Sequence, residues 1–394
     1  MLSFYQKHLN QLKTGDQFRS LKKISSPQER ILSHQGKDYL NFASNNYLGL
    51  ANHPKIKAAM IEGVERYGVG AGASRLINGS LQPFHDLEKK IARWKNSESA
   101  LLFNSGYQAN LGVLSCLLQE GDLILSDELN HASMIDGMRL SKAKKKVYPH
   151  FDLDVLKSLL QEARQEMSAD QKILIVTESV FSMEGDIAPL QEILDLAEEF
   201  DAWIYLDEAH AVGVLGAHGA GLAETLWEHP AFSTRLIQMG TLGKALGCFG
   251  AYIAASQVLI DFLINHTRTF IFATALPPAV ACAASQALEI LQEESERRER
   301  LWSNMRFFQE AVSTLKLAQG ISVQSPIVPV IVGENQKALE MSQKLFQQGF
   351  WVTAIRPPTV PVGKARLRLT LMSDHQKEDI KSLVEFLNFN KDDL

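Results

Sequence analysis

The sequence predicts an α/β fold on a mainly parallel or mixed sheet, followed by a smaller α+β domain at its C-terminal end. Three observations carry that prediction. From about residue 55 to 275, helical segments alternate with short, nearly continuous apolar runs such as Ile173-Leu-Ile-Val-Thr177 and Trp203-Ile-Tyr-Leu-Asp207. Strands buried on both faces and joined by crossover helices have this texture. Beyond Pro277-Pro278 the pattern changes: Ala365-Arg-Leu-Arg-Leu-Thr-Leu371 alternates strictly, as a strand does with one apolar and one polar face. No repeat period or low-complexity linker breaks the chain.

Taken in order, Phe4, His8, Leu9 and Leu12 lie near helical spacing, which predicts an amphipathic helix and a connector to about Ser33. Asp38 to Ala43 reads as a short strand, running into the polar turn Ser44-Asn-Asn-Tyr-Leu-Gly-Leu50. Ala100–Phe103, Leu123–Leu125, Ile173–Thr177, Trp203–Asp207 and Gly250–Ala255 are the expected strands of the large domain. Helices are expected from about Ala109 and over Ala188–Phe200. After Pro278 a long helix runs to about Leu317, its Glu293–Arg300 charge run a solvated face with opposite charges at i,i+4. Then come a strand at Val328–Val332, a helix over Ala338–Gln347, a strand at Trp351–Ile355 and the alternating strand from Ala365. These elements divide the chain into an N-terminal segment 1–48, a large domain 49–275 and a small domain 276–394.

With 394 residues, 45% of them hydrophobic and 22% charged, the chain can bury a substantial core without staples. A net charge of −5 gives no global positive field to draw nucleic acid or an anionic membrane. The run Lys142–Lys146 reads as a solvated face. Cys116, Cys248 and Cys282 form no CxxC pair and no metal-ligand spacing, so they read as small buried hydrophobes in a reducing compartment. Residues 1–23 lack the apolar core of a signal peptide, and no stretch has the length and apolarity of a membrane span. A cytoplasmic protein is expected.

Five segments carry candidate chemistry, each at the end of an apolar run. In Trp203-Ile-Tyr-Leu-Asp207-Glu-Ala-His210, an acid and a histidine follow a strand, where open α/β sheets bind ligands; the plain alternative is a helix N-cap and a surface histidine. In Ile237-Gln-Met-Gly-Thr241-Leu-Gly-Lys244-Ala-Leu-Gly247, a lysine sits in a Gly- and Thr-containing loop. Such a lysine can form a Schiff base with an aldehyde cofactor, or simply be exposed. The Gly-Lys pair is not a Walker A ending, since Gln238 and Ala245 stand where Gly and Ser/Thr are required. Without that loop, the helicase-like spelling Asp207-Glu-Ala-His210 means little. Asn104-Ser-Gly106-Tyr107 opens a helix, whose free N–H groups can seat a phosphate while Tyr107 stacks on a planar ring. His131 follows Leu125 after a polar turn, and Ser182 lies in the polar cluster after Thr177. Together these supply what pyridoxal 5'-phosphate (PLP) needs: donors for its phosphate, a lysine for its aldehyde, and a carboxylate that keeps its ring nitrogen protonated.

The chain resembles the α-oxoamine synthases, PLP-dependent transferases of fold type I (aspartate-aminotransferase-like), from about Arg19 to the last helix. The matching blocks are Asn41-Phe-Ala-Ser-Asn-Asn-Tyr-Leu-Gly-Leu50, Gly70-Ala-Gly-Ala-Ser-Arg75, Thr177-Glu-Ser-Val-Phe-Ser-Met-Glu-Gly-Asp186, Asp207-Glu-Ala-His210 and Thr241-Leu-Gly-Lys244. Trp351-Val-Thr-Ala-Ile-Arg356-Pro-Pro-Thr359, with the strand from Ala365, is similar to the branch that joins L-alanine to a pimeloyl thioester in biotin synthesis. The resemblance implies an acyltransferase whose carrier is coenzyme A or acyl carrier protein, acting as a homodimer with shared active sites. It implies Lys244, His131 and Asp207 as catalytic residues, with Lys244 holding the cofactor, Asp207 paired with the ring nitrogen and His131 stacked on the ring. Ser182 and His210 are implied near the phenolic oxygen, and Gly106, Tyr107 and Thr241 around the phosphate end. Arg19, Asn45, His131, Arg356, Thr359 and Arg368 are the implied substrate contacts, with Arg368 foremost for the amino-acid carboxylate because a guanidinium grips it bidentately. The alternatives are a relative using glycine and acetyl-CoA, and a catalytically silent binding protein of the same fold.

Overall fold

The computed structural model describes residues 1–168, 170–314 and 321–391. The chain opens with helix α1 (Leu2–Thr14) and strands β1 (Ile31–His34) and β2 (Lys37–Asn41). Next come α2 (Pro54–Tyr67), α3 (Gln82–Trp94), β3 (Ser99–Phe103), α4 (Gly106–Cys116), β4 (Leu123–Asp127), α5 (Ala132–Leu140) and β5 (Lys144–Tyr148). α6 (Leu153–Glu166), β6 (Ile173–Glu178), α7 (Leu190–Glu199), β7 (Trp203–Asp207), β8 (Leu236–Thr241) and β9 (Ala251–Ala255) follow. The last strands are β10 (Ile327–Gly333), β11 (Phe350–Trp351), β12 (Thr353–Ile355) and β13 (Ala365–Thr370). Two compact units divide these elements: a large one of residues 53–181 and 187–295, and a small one of residues 1–52, 182–186 and 296–394.

Among the described residues, the large unit is built on a seven-stranded sheet in the order β3-β9-β8-β7-β6-β4-β5. The pairs β4/β5, β4/β6, β6/β7 and β7/β8 are parallel, and only β9 runs against its two neighbours. This is the mainly parallel sheet the apolar runs predict. β4, β6 and β9 are buried throughout, and β7 at every residue but the first. Alternate side chains serve opposite faces: Ile124 packs with Val113, Met134 and Leu263, whereas Leu123 and Leu125 pack with Leu156, Leu160 and Ile193. The basic run at 144–146 forms the edge strand β5, and all three lysines keep clear of full burial. Charge on an exposed edge blocks pairing with another chain.

The long helix expected from Pro278 breaks into two, Pro278–Glu293 and Ser295–Thr314; residues 315–317 of the expectation lie outside the described residues. The break coincides with the passage between units, which falls at Ser295. Helix Pro278–Glu293 packs on α2 in the large unit, where Gly63 permits the approach: a Cβ there would sit 2.8 Å from Ala279 Cα. The expected domain edge at 275/276 therefore falls inside this unit. Cys116, Cys248 and Cys282 are free and half-buried.

The small unit carries two three-stranded sheets, β1-β2-β11 and β10-β13-β12. β2 pairs antiparallel with β1 and parallel with β11, where Leu40 faces Phe350. α1 forms where expected, but none of its residues is buried within the chain. β13, which the alternation marked as half-polar, is buried at every position, because its arginines are engaged by polar partners.

His375 lies 3% exposed in this unit, stacked on Phe42 with ring centroids 4.2 Å apart. Its Nδ1 accepts the Met372 N–H at 3.1 Å, so Nε2 holds the proton and donates to Asn41 O at 3.0 Å. Burial holds its pKa down to about 4, against about 6.5 in an unfolded chain. The unfolded state therefore takes up the proton first, and stability present above pH 6.5 is lost as pH falls towards 4. Between pH 7 and 5 the parent is expected to lose about 2 kcal/mol more than His375→Gln. Urea midpoints at the two pH values check this, and equal losses would remove His375 as the cause.

Candidate active site

The parallel strands of the large unit bring five loops to one edge of the sheet, where their carboxyl ends emerge. Asp207 ends β7 and is buried; its Oδ1 accepts the Ala209 N–H at 2.9 Å, and its Oδ2 accepts from Asn110 Nδ2 at 2.8 Å. His210, also buried, lies one turn further on. Lys244 follows β8 in a loop pinned by Leu242 N–H to Gly250 O at 2.9 Å and Cys248 N–H to Leu242 O at 2.8 Å. Gly247 and Gly250, at φ 64° and 109°, make the tight return to β9 possible. Lys244 Nζ lies 2.8 Å from His210 Nε2. When Lys244 is an ammonium it can only donate, and Nε2 then accepts with the imidazole proton on Nδ1. Burial pushes the Cys248 thiol up to about 12, which leaves the lysine without a competing nucleophile beside it.

His131 is the N-cap of α5, and its own N–H donates to Glu178 Oε1 at 2.7 Å. Its Nδ1 accepts the Ser133 N–H at 3.2 Å and meets Ser133 Oγ at 2.7 Å. Desolvation by the surrounding protein lowers its pKa; Asp207 opposes that shift and Lys244 adds to it. It is thus a neutral, planar ring near both residues. Gly106 and Tyr107 start α4 behind the N-cap Ser105, which accepts the Gln108 N–H at 3.2 Å. The Tyr107 hydroxyl donates to Asp136. A Cβ on Gly106 would lie 2.8 Å from Thr241 Cγ2, so glycine is what lets the helix start reach the end of β8. Lysine, carboxylate, planar imidazole, hydroxyl and helix N-terminus converge here, and this set fits PLP: amine for aldehyde, carboxylate for ring nitrogen, N–H groups for phosphate.

Behind Asp207 lies a buried ion pair, Glu208 with Lys95, exposed 0% and 1%. Lys95 also donates to Ala220 O, and Glu208 Oε1 accepts the Ala223 N–H at 3.0 Å. Sequence reading missed this pair, and also Asn110 and Tyr205. Arg75, in a block that carries the resemblance, is held bidentately by Glu88 at 2.8 and 3.0 Å.

The remaining expected residues belong to the small unit. Ser182 lies in the excursion 182–186, and its carbonyl accepts Arg368 Nε at 2.6 Å. Arg368, 7% exposed, also donates to Asn45 Oδ1 at 3.2 Å and Thr370 Oγ1 at 3.1 Å. Burial holds the neighbouring Tyr47 hydroxyl up at about 12, against the pull of Arg368. Two positions away, Arg366 pairs with Glu184 at 2.9 Å; among the described residues no carboxylate pairs with Arg368. Arg19, Arg356 and Thr359 gather separately, on a cleft of about 440 Å³ that Lys22, Phe346 and Trp351 also line. Arg19 donates to Thr359 Oγ1 at 3.3 Å and Arg356 to Asp16 O at 2.7 Å. Burial, then Arg19, lowers the Arg356 pKa. The implied substrate residues of this unit thus form two groups rather than one.

The family profile for aminotransferase class I and II matches residues 37–387. The 8-amino-7-oxononanoate synthase of Thermoanaerobacter pseudethanolicus is 44% identical over 98% of this chain and 95% of its own length. That of Methylococcus capsulatus is 46% identical over 96% of each. Among solved structures, a serine palmitoyltransferase from S. paucimobilis with bound PLP–myriocin superposes at a TM-score of 0.89, with 27% identity, covering 99% of this chain and 97% of that one. The 8-amino-7-oxononanoate synthase of Francisella tularensis gives 0.77 at 30% identity, covering 90% and 98%.

Proposed function

Since the chain belongs to the class I and II aminotransferase family, and within it to the 8-amino-7-oxononanoate synthases, we propose that it condenses L-alanine with a pimeloyl thioester. The products are 8-amino-7-oxononanoate, carbon dioxide and the free thiol carrier, a step of biotin synthesis. The observation that carries this reading is the strand-end cluster of Lys244, His210, Asp207 and His131, with Lys244 Nζ 2.8 Å from His210 Nε2.

PLP, when bound, supplies an aldehyde that takes amines covalently and a ring that accepts the electron pair freed at the α-carbon. Lys244 Nζ holds the aldehyde carbon and, as a free amine, takes the α-proton and later returns one to the product. His210 Nε2 keeps that amine aimed. Asp207 holds a proton on the ring nitrogen, because an adjacent carboxylate raises the pKa of such a cation by about 1–3 units. His131 covers one ring face. The first N–H groups of α4 bind the phosphate, with the Thr241 hydroxyl beside them.

Arg368 binds the alanine carboxylate. A buried guanidinium whose hydrogen-bond partners among the described residues are all neutral lacks the counter-charge that normally offsets its desolvation, and a substrate carboxylate supplies it. Arg368→Lys is expected to raise KM for alanine about 10- to 100-fold with KM for the thioester little changed, since a lysine cannot make the bidentate contact. An unaltered alanine KM would move the carboxylate site elsewhere. The resemblance supports two further readings: a homodimer and a cytoplasmic location. No helix among the described residues is long and apolar enough to cross a membrane.

The deciding experiment incubates the cofactor-loaded protein with alanine, glycine or serine and a panel of acyl thioesters on coenzyme A or acyl carrier protein. Thiol release and product mass are followed together. Product from alanine and pimeloyl thioester alone supports the proposal. A preference for glycine with an acetyl thioester overturns the substrate reading, and a protein that takes up no cofactor overturns the whole.

A further inference from the structure

We propose that Asn110 is a positioning residue that sets the Asp207 carboxylate and the His131 ring as one assembly. The inference rests on the reading of Asp207 as the partner of the cofactor ring nitrogen. Asn110 sits in the second turn of α4, 1% exposed, and both amide hydrogens and the amide oxygen have partners. Nδ2 donates to Asp207 Oδ2 at 2.8 Å and to Ser133 Oγ at 2.9 Å, while Oδ1 meets the Tyr205 hydroxyl at 2.7 Å.

The proton directions in this network are determined. A carboxylate only accepts, so the amide nitrogen must face Asp207, and its oxygen must face Tyr205. Burial, reinforced by Asp207, holds the Tyr205 pKa well above normal, so that hydroxyl keeps its proton and donates. Ser133 Oγ receives a proton from Asn110 and has its own to give, to His131 Nδ1. The Ser133 N–H points at the same nitrogen and can only donate. His131 therefore carries its proton on Nε2. One amide thus fixes both the carboxylate that meets the ring nitrogen and the tautomer of the ring-stacking imidazole. These residues lie on three different elements: α4, β7 and the start of α5. Among the described residues, groups that feel the Asp207 charge include His131 from the strand-end loops and Tyr205 and Tyr252 from the sheet, and Lys244 acts in turn on His131.

A core amide that only stabilises the fold would leave the cofactor's properties alone, and that difference is the test. Asn110→Leu, Tyr205→Phe and Asp207→Asn are purified with cofactor. Their visible absorbance is titrated from about pH 6 to 9, alongside melting curves, kcat and KM for alanine. Loss of one hydrogen bond to a charged group predicts that Asn110→Leu lowers kcat about tenfold and moves the absorbance midpoint, with KM for alanine within about twofold. Tyr205→Phe, which frees the amide to turn, shifts the midpoint in the same direction by less. An Asn110→Leu protein that melts earlier but keeps the parent midpoint and kcat overturns the proposal. Should that variant not fold, an unmoved midpoint in Tyr205→Phe overturns it instead. If Asp207→Asn moves the midpoint and Asn110→Leu does not, only the positioning role fails. If Asp207→Asn leaves it unmoved, the cofactor-site reading fails too.

Discussion

Lys244→Ala is expected to lower turnover by about 10⁴-fold or more, because in the proposed mechanism one amine serves as both the covalent anchor and the base. Neither duty has a substitute nearby. The imidazole of His210 cannot take over an amine's covalent link to an aldehyde, and the thiol in the same loop, Cys248, is held protonated with its pKa at about 12. The visible absorbance of lysine-bound cofactor should vanish while the melting temperature changes little, since Lys244 lies in a loop whose closure depends on backbone bonds between Leu242, Cys248 and Gly250. Borohydride treatment followed by peptide mass mapping checks the anchor directly. Parent protein should carry the cofactor on the peptide that contains Lys244; label on another lysine, or full activity in the variant, would end the assignment.

Asp207→Asn comes second, with turnover expected to fall about 10³-fold, the scale on which losing a placed charge at the reacting centre is felt. The geometry adds a structural penalty. Asp207 now accepts two donors, the Ala209 N–H on Oδ1 and Asn110 Nδ2 on Oδ2. An asparagine has one carbonyl oxygen, so whichever way the new amide turns, one buried donor meets an NH₂ group, at about 1–3 kcal/mol. The variant should therefore be both slower and less stable, and single-turnover rates with alanine separate the two losses. A near-normal rate would show that no charge at this position is needed.

The large unit was legible because its strands lie in a parallel sheet, where burial on both faces writes an uninterrupted apolar run. Ile173–Thr177 and Trp203–Asp207 became β6 and β7 almost residue for residue. β5 was hidden for the complementary reason: as an edge strand it is Lys144-Lys-Lys-Val-Tyr148, which reads as a charge run. Lys244, Asp207 and His210 stood out as polar residues directly after apolar runs. Asn110 and Tyr205 had no such signal. One is a weak helix former inside a helix, the other an ordinary strand aromatic, and only the folded sheet brings them within 2.7 Å of each other. The separation of Arg368 from Arg366 was equally hidden, since it depends on Glu184 pairing with one and not the other.

The parallel pairing of β2 with β11 sets an order of events during synthesis. Every segment of the large unit has been translated once residue 295 is made. β2, with Leu40 opposite Phe350, has to wait for a partner about 310 residues downstream. At about 5–20 residues per second, the ribosome leaves that strand without β11 for roughly 15–60 s. During this interval the nascent chain carries an unpaired β1–β2 hairpin and, ahead of it, a helix with Leu2, Phe4 and Tyr5 exposed, so the first fifty residues are where a chaperone would find the growing chain.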